Sequence, residues 1–583
     1  MKKNVIRTIG LSAIFLFMFI IIIQLYTNIL FLMNISITPW HLPVEFGITI
    51  LIFGGIYLFL AKKQKESIKK VLIQIISSIC IGALVFTIAV YCVGKIYDIT
   101  SDGNTYHKLG VGSMKNGWNP LYESSRDFTE EDGNALTVSE DNINYLWADH
   151  YAMGTETIGA NIYAFSNNIE SGKAFTLVMM FIGFGITLEY LVLQRDWISK
   201  KFGVLKALVI SALLVVNPIT VVQMGTYYVD ATLAISLFLI IIELIAINTK
   251  NKENLFENYF ILAMSIGMCA NAKFTGLGYA AVFCASFYIY GIIKNRKDKK
   301  YIIRNTVFYV ITVIITVCVL GGTSYLKNMI GNGHPFYPLY GEGHVENMVN
   351  QEIPESLAVK PNIVQFFISV FSKGENISPS YSDILNEPDL KVPFTIQEGE
   401  IENYSIPDIR VSGFGPLYSG IFLITVGVGI AILVDYIRNK KYDSLIKYLI
   451  IIGVSAVLLI ALDGSYWARY VPYVYLISAM NLAYLFEKNT KVSNILGIVI
   501  AVIMAINSAL VLKVALNNYI GNSKYVKNNL IQFQEYAKDK EKIPIKLNLD
   551  TYQGVQYNLD DLGIDIILDN SITSERDGFL FKY

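Results

Sequence analysis

The chain has 583 residues, of which 53% are hydrophobic and 16% charged, with 47 basic against 47 acidic side chains. So little charge and a mean hydropathy of +0.45 exclude an ordinary soluble domain, which carries about 25% charged residues. The zero net charge excludes bulk electrostatic affinity for nucleic acid. The apolar residues fall in blocks of roughly twenty, the length of a helix across a bilayer core. The expected fold class is therefore an all-α polytopic membrane protein.

Taken in order, about thirteen spans are predicted, the first three at about 8–33, 44–61 and 71–93. The first follows Met-Lys-Lys-Asn-Val-Ile-Arg and has no small-residue cleavage site behind it, so it reads as a retained helix. Six more lie at 174–193, 204–222, 228–248, 257–272, 276–293 and 303–321, and four at 416–437, 445–462, 466–486 and 491–513. Helix is the expected conformation because it satisfies its own backbone in lipid. Lys and Arg fill every second short connection, as at Lys62–Lys70, Arg195–Lys201, Lys294–Lys300 and Arg438–Lys441. The positive-inside rule then puts the N-terminus in the cytoplasm. The C-terminus and two long loops, about 94–173 and 322–415, fall outside. All five cysteines lie in or at the ends of hydrophobic segments, so no disulfide framework is expected.

The first outer loop is predicted to hold two short interfacial helices, Asn104–Lys115 and Thr155–Phe165, and the second an apolar run from Ile363 to Phe371. Residues 1–513 then form a transmembrane module. Residues 514–583 form a small α/β appendage on the outer face, read as a helix over 524–539, a strand at Ile543–Leu549, a short helix and a strand at Asp565–Leu568.

Ionisable residues in a membrane protein are costly and mark function by default. Here they gather at outer ends: Asp98, Asp102, His107, Asp149, His150, Glu156, Asp230, Lys273, Lys327, His334, Asp463 and Arg469. A site there meets a lipid-borne donor from the membrane and an acceptor from outside. Moving a sugar off a lipid phosphate needs a carboxylate to take the acceptor proton and cations to hold the phosphate. Asp102 fits the first role. Arg469 fits the second, assisted by Lys327 and Lys273, with His334 orienting the phosphate. A cation in the first turn of a helix opposes the dipole, so either a phosphate or nearby Asp463 must offset Arg469. Capping accounts for Asp102, Asp149 and Glu156 as a competing explanation.

At these residues the chain resembles the GT-C glycosyltransferases. The motifs are Asp102-Gly-Asn-Thr-Tyr-His107, Gly117-Trp-Asn-Pro120, His150-Tyr-Ala-Met-Gly-Thr-Glu156, Gln223-Met-Gly-Thr-Tyr-Tyr-Val-Asp230 and Asn271-Ala-Lys-Phe-Thr-Gly276. Gly333-His-Pro-Phe-Tyr-Pro338, Gly413-Phe-Gly-Pro416 and Trp467-Ala-Arg-Tyr470 complete the set. They are most similar to uncharacterised bacterial members related to protein O-mannosyltransferases and aminoarabinose transferases. The resemblance covers nearly the whole chain. It implies a GT-C-like fold in the cytoplasmic membrane and a polyprenyl-phosphate-linked sugar donor. The acceptor is extracytoplasmic, and the transfer is inverting with Asp102 as general base. Arg469, His334, Lys327, Lys273, His107, Asp230, His150 and Glu156 are the expected substrate and phosphate ligands. The family's paired acidic motif is absent, since Gly103 follows Asp102 and Asp98 lies four residues before it, so no metal cofactor is expected. The alternative is a lipid-linked saccharide flippase or a non-catalytic partner in envelope assembly.

Overall fold

A computed structural model describes residues 2–126, 128, 144–249, 255–345, 353–375, 387–548, 552–569, 571–574 and 576–583. The acidic excursion expected at 124–144 lies largely outside the described residues. Ten helices among the described residues are long and apolar enough to cross a membrane, beginning with Lys2–Leu32, His41–Gln64 and Ile68–Val93. The protein is a polytopic helical membrane protein. The other three expected spans are also helical but shorter or more polar. They are Gly203–Val215, Leu255–Ala272 and Tyr473–Lys488. The span expected at 204–222 is broken where Asn217 caps a new helix, its Oδ1 accepting from the Thr220 N–H at 3.1 Å, with Pro218 at the first position.

Burial separates the helices into a centre and a rim. Lys2–Leu32 and Asp230–Ile247 are enclosed by protein, at 78% and 94% of their apolar windows, whereas His41–Gln64 and Lys299–Leu320 are mostly uncovered, at 22% and 17%. A helix that is apolar all round and uncovered needs lipid as its solvent. Leu255–Ala272 and Phe274–Lys294 are joined through one extended residue, Lys273, which turns the chain back on itself. Gly276 permits this close return: a Cβ there would stand 2.0 Å from the Cys269 carbonyl oxygen.

The two long loops are built as expected from short helices. Gly103–Lys115 runs as one helix whose first turn is wound as π, followed later by Gly154–Ser166 and, in the second loop, Asn362–Val370. The last span does not stop near 513. One helix runs from Lys491 to Ala537, 47 residues, so the separate helix expected at 524–539 is its continuation. At about 1.5 Å per residue it is roughly 70 Å long, more than twice a bilayer core. Beyond it, β1 (Ile543–Leu547) pairs in parallel with β2 (Ile566–Leu568) across the helix Val555–Asp560, and β3 (Phe581–Lys582) adds to the other edge of β1 antiparallel. This sheet packs on the end of the long helix through Val526, Leu530, Phe533, Ile545 and Phe581.

Candidate functional site

Asp102 stands at the head of the Gly103–Lys115 helix, but its side chain makes no capping hydrogen bond. The capping is done by Thr100, whose Oγ1 accepts the Gly103 N–H at 3.3 Å, and Asp98 and Asn104 brace that turn. Asp98 is buried; its Oδ1 accepts the Thr100 N–H at 2.8 Å and its Oδ2 the Tyr227 N–H at 2.7 Å. Gly103 makes room for it, since a Cβ there would lie 2.3 Å from Asp98 Oδ2. The Asn104 amide donates to the carbonyls of Asp98 and Thr100 at 2.9 and 2.8 Å. The Asp102 carboxylate is therefore released from local duty and projects into a cluster of charges.

Arg469 is the hub of that cluster. It lies in the short 3-10 turn Ala468–Tyr470 that precedes the helix Tyr473–Lys488. Its Nη1 is 3.6 Å from Asp102 Oδ2 and 3.4 Å from Asp230 Oδ2, and its Nη2 is 3.3 Å from Asp408 Oδ1. The guanidinium lies 3.8 Å from the Trp467 ring centre, and Arg410 approaches the same ring at 4.5 Å. Among the described residues no group accepts from Arg469 Nε, which is buried. Asp463 does not serve as the counter-charge: it accepts from Asn362 at 3.2 Å, and Asp408, Asp230 and Asp102 offset Arg469 instead.

Asp230 opens the Asp230–Ile247 helix, where a carboxylate suits the positive end of the dipole. Its Oδ1 takes Lys273 Nζ at 2.6 Å and its Oδ2 the Gln223 amide at 3.2 Å. Gln223 in turn accepts the Ala231 N–H at 2.9 Å, so the helix start is fixed from two sides. Lys273 also sits over the Tyr470 ring at 4.3 Å. Burial works against the Lys273 charge, yet Asp230 holds its ammonium above the ordinary lysine range.

Asp408 and Arg410 come from the second long loop. That loop is anchored by a buried Lys391–Glu400 ion pair and by Ser412, whose N–H donates to Ser369 Oγ at 3.1 Å. Asp408 also faces Arg410 Nη2 at 3.8 Å. Burial pushes the Asp408 carboxyl up to about 7, with Asp102 and Asp230 adding to the rise against the pull of Arg469 and Arg410. Neither residue is among the sequence candidates. The signal was present as two charges directly after Pro407, ahead of the next span.

Of the expected ligands, the structure brings Asp102, Asp230, Lys273 and Arg469 together. His107 and Glu156 pair with each other in a buried contact, Nδ1 to Oε1 at 2.5 Å, within the first long loop. His150 and Lys327 form a second group around Asn328, and His334 lies on the turn that carries Tyr337 to it. Asn328 donates to the His150 and Tyr337 carbonyls at 2.8 and 2.9 Å, so its Oδ1 must accept from His150 Nδ1, at 2.8 Å. Burial lowers His150, which is then neutral at pH 7 with Nε2 as its remaining acceptor. Lys327 donates to the Asp149 carbonyl at 3.3 Å, and burial lowers it too. His334 Nδ1 accepts the Phe336 N–H at 3.2 Å. Tyr151, next to His150, stacks edgewise on Phe274, next to Lys273, at 4.8 Å, so the two groups are neighbours.

Fold and site define a helical multi-pass membrane protein with a carboxylate–cation centre at one end of its bundle. No family model and no curated protein match the chain. Among solved structures it is similar to ArnT from Cupriavidus metallidurans bound to undecaprenyl phosphate. The TM-score is 0.42 at 11% identity, over 84% of this chain and 85% of that one.

Proposed function

We propose that the protein is a GT-C-type glycosyltransferase that moves a sugar from a polyprenyl-phosphate carrier to an acceptor on the outer face of the cytoplasmic membrane. The observation that carries this reading is the state of the three carboxylates around Arg469. Asp230 is saturated and its side chain 2% exposed; Asp408 is held between two arginines at 13%; Asp102 is 22% exposed, with its longest contact to Arg469 at 3.6 Å. Asp102 is thus the carboxylate an incoming hydroxyl can reach, and it stands beside the cations that a phosphate needs.

The reaction is a single displacement. Asp102 takes the acceptor hydroxyl proton. The acceptor oxygen bonds to the anomeric carbon as the bond from that carbon to the phosphate oxygen breaks, and the configuration inverts. The electron pair stays on the departing phosphate, where Arg469 and Lys273 offset its charge. Three cations, Arg469, Lys273 and Arg410, face three carboxylates, Asp102, Asp230 and Asp408, so a lipid phosphate adds charge to a balanced site. Proton uptake by Asp408 offsets that addition.

The test is a transfer assay on purified protein with radiolabelled polyprenyl-phosphate hexoses and a cell-envelope extract, wild type against Asp102→Asn, with and without a chelator. Label should move with wild type alone. Turnover retained in Asp102→Asn removes Asp102 as the base, and loss of turnover with chelator adds a metal to the site.

A further inference from the structure

A cavity of about 190 Å³ lies at the far end of the bundle from Asp102. Asp230 begins its helix at the charged centre, whereas Ile242 and Ile245 of the same helix line the cavity. Twelve to fifteen residues at 1.5 Å each put about 20 Å between the two. The walls are apolar, with Leu214, Ile242, Ile451 and Leu476 facing the space. The rim is charged. Arg195 pairs with Glu487, and Lys447 Nζ lies 2.8 Å from Asp443 Oδ2 while Lys294 pairs with the same carboxylate. Three cations therefore share two carboxylates, and Lys200 beside Arg195 and Glu487 brings a fourth cation together with a third carboxylate, Asp196. Arg195 and Glu487 are 33% and 38% exposed, so the rim is open to water or headgroups.

We infer that this cavity binds an anionic phospholipid, one acyl chain inside the bundle and the phosphate at Arg195 and Lys447. The charge argues for an anion, since the rim cations exceed the carboxylates among them. The depth argues for a lipid chain. From Arg195 to Thr187 the lining covers eight residues, about 12 Å. That holds a segment of a lipid chain, and competition with undecaprenyl phosphate separates an acyl from an isoprenoid occupant. The site is separate from the transferase centre, and its test does not involve transfer.

Full-length protein, purified in neutral detergent, is delipidated and offered phosphatidylglycerol, phosphatidylcholine or diacylglycerol. Bound lipid is counted by native mass spectrometry and thermal unfolding is followed in parallel. Wild type should retain one phosphatidylglycerol per chain and gain more in Tm from it than from the other two. Met480→Trp, which fills the cavity, should abolish both effects. Lys447→Gln should cut the preference for phosphatidylglycerol over phosphatidylcholine about fivefold, the effect of one cation near a lipid surface. If Met480→Trp does not fold, Lys447→Gln and the milder Leu214→Phe carry the test. Equal retention of phosphatidylglycerol and phosphatidylcholine overturns the proposal, as does full retention in the filled variants. Displacement of phosphatidylglycerol by an equal concentration of undecaprenyl phosphate overturns it in favour of a polyprenyl lipid.

Discussion

Two buried ion clusters adjoin the first long loop, and they differ in how completely their charges are used. In one, Glu170 receives Lys108 Nζ at 2.7 Å and Asn558 at 2.9 Å, pairs with Lys173, and takes the Asp98 N–H at 3.1 Å. Its lysines are 0% exposed. This cluster pins the C-terminal appendage to the loop, together with the Gly554 N–H on the Asn104 carbonyl at 2.7 Å and the Tyr557–Ser113 hydroxyl pair at 2.8 Å. In the other, Arg469 holds three carboxylates at 3.3 to 3.6 Å and keeps an unused N–H, while Asp102 stays open. The same residue types make a rivet where every lone pair is spent and a reaction centre where some are left over. A buried group without a partner is costly, so such slack persists where a ligand supplies the missing contact.

The contrast is sharpest under substitution. Asp102→Asn should lower transfer by about 10² to 10⁴-fold, the usual worth of a general base, with Tm unchanged by circular dichroism. Glu170→Ala should do the reverse. It strands two buried lysines, costs about 3–5 kcal/mol of stability, and should be read as a fallen Tm or lost expression. If Glu170→Ala folds normally, the rivet is no rivet. Arg469→Lys should come next, losing roughly tenfold or more in kcat/KM because the fork that spans phosphate oxygens is gone. Unchanged kcat/KM there would detach phosphate binding from Arg469.

The smallest effect concerns pH. Asp408 is raised from 3.8 to about 7 by burial. As pH rises across that window, the unfolded chain loses its proton first, so the folded state loses stability relative to it. Stability from this group is whole below about 3.8 and gone above about 7. Asp408→Asn should flatten that segment of the Tm-against-pH curve and shift the alkaline limb of donor binding, since a neutral side chain no longer competes for Arg469. An unaltered Tm profile in that variant would place the Asp408 titration elsewhere.

Asp102, Asp230, Lys273 and Arg469 were legible in the sequence because each stands at the end of an apolar run, where a charge has no packing role. His107 and Glu156 carry the same local signal, yet they meet and bind each other. Sequence spacing of 49 residues gave no hint of that contact, which depends on how Gly154–Ser166 lies against Gly103–Lys115. Asp408 escaped notice because it sits in polar loop sequence, where a charge is unremarked until the fold buries it.

What the sequence alone determined is therefore the membrane class, most of the helices and the ends at which charge collects. Those follow from local rules, since each helix satisfies its own backbone and each apolar run needs lipid or protein around it. Tertiary structure decided which charges meet. Asp408 and Arg469 belong to segments separated by two whole helices, Tyr418–Arg438 and Tyr442–Ala461. Asp230 reaches both Lys273 and Arg469 only because a one-residue turn and a 3-10 turn converge on its helix. Contacts of that kind are set by packing between distant segments, and no periodicity within one segment encodes them.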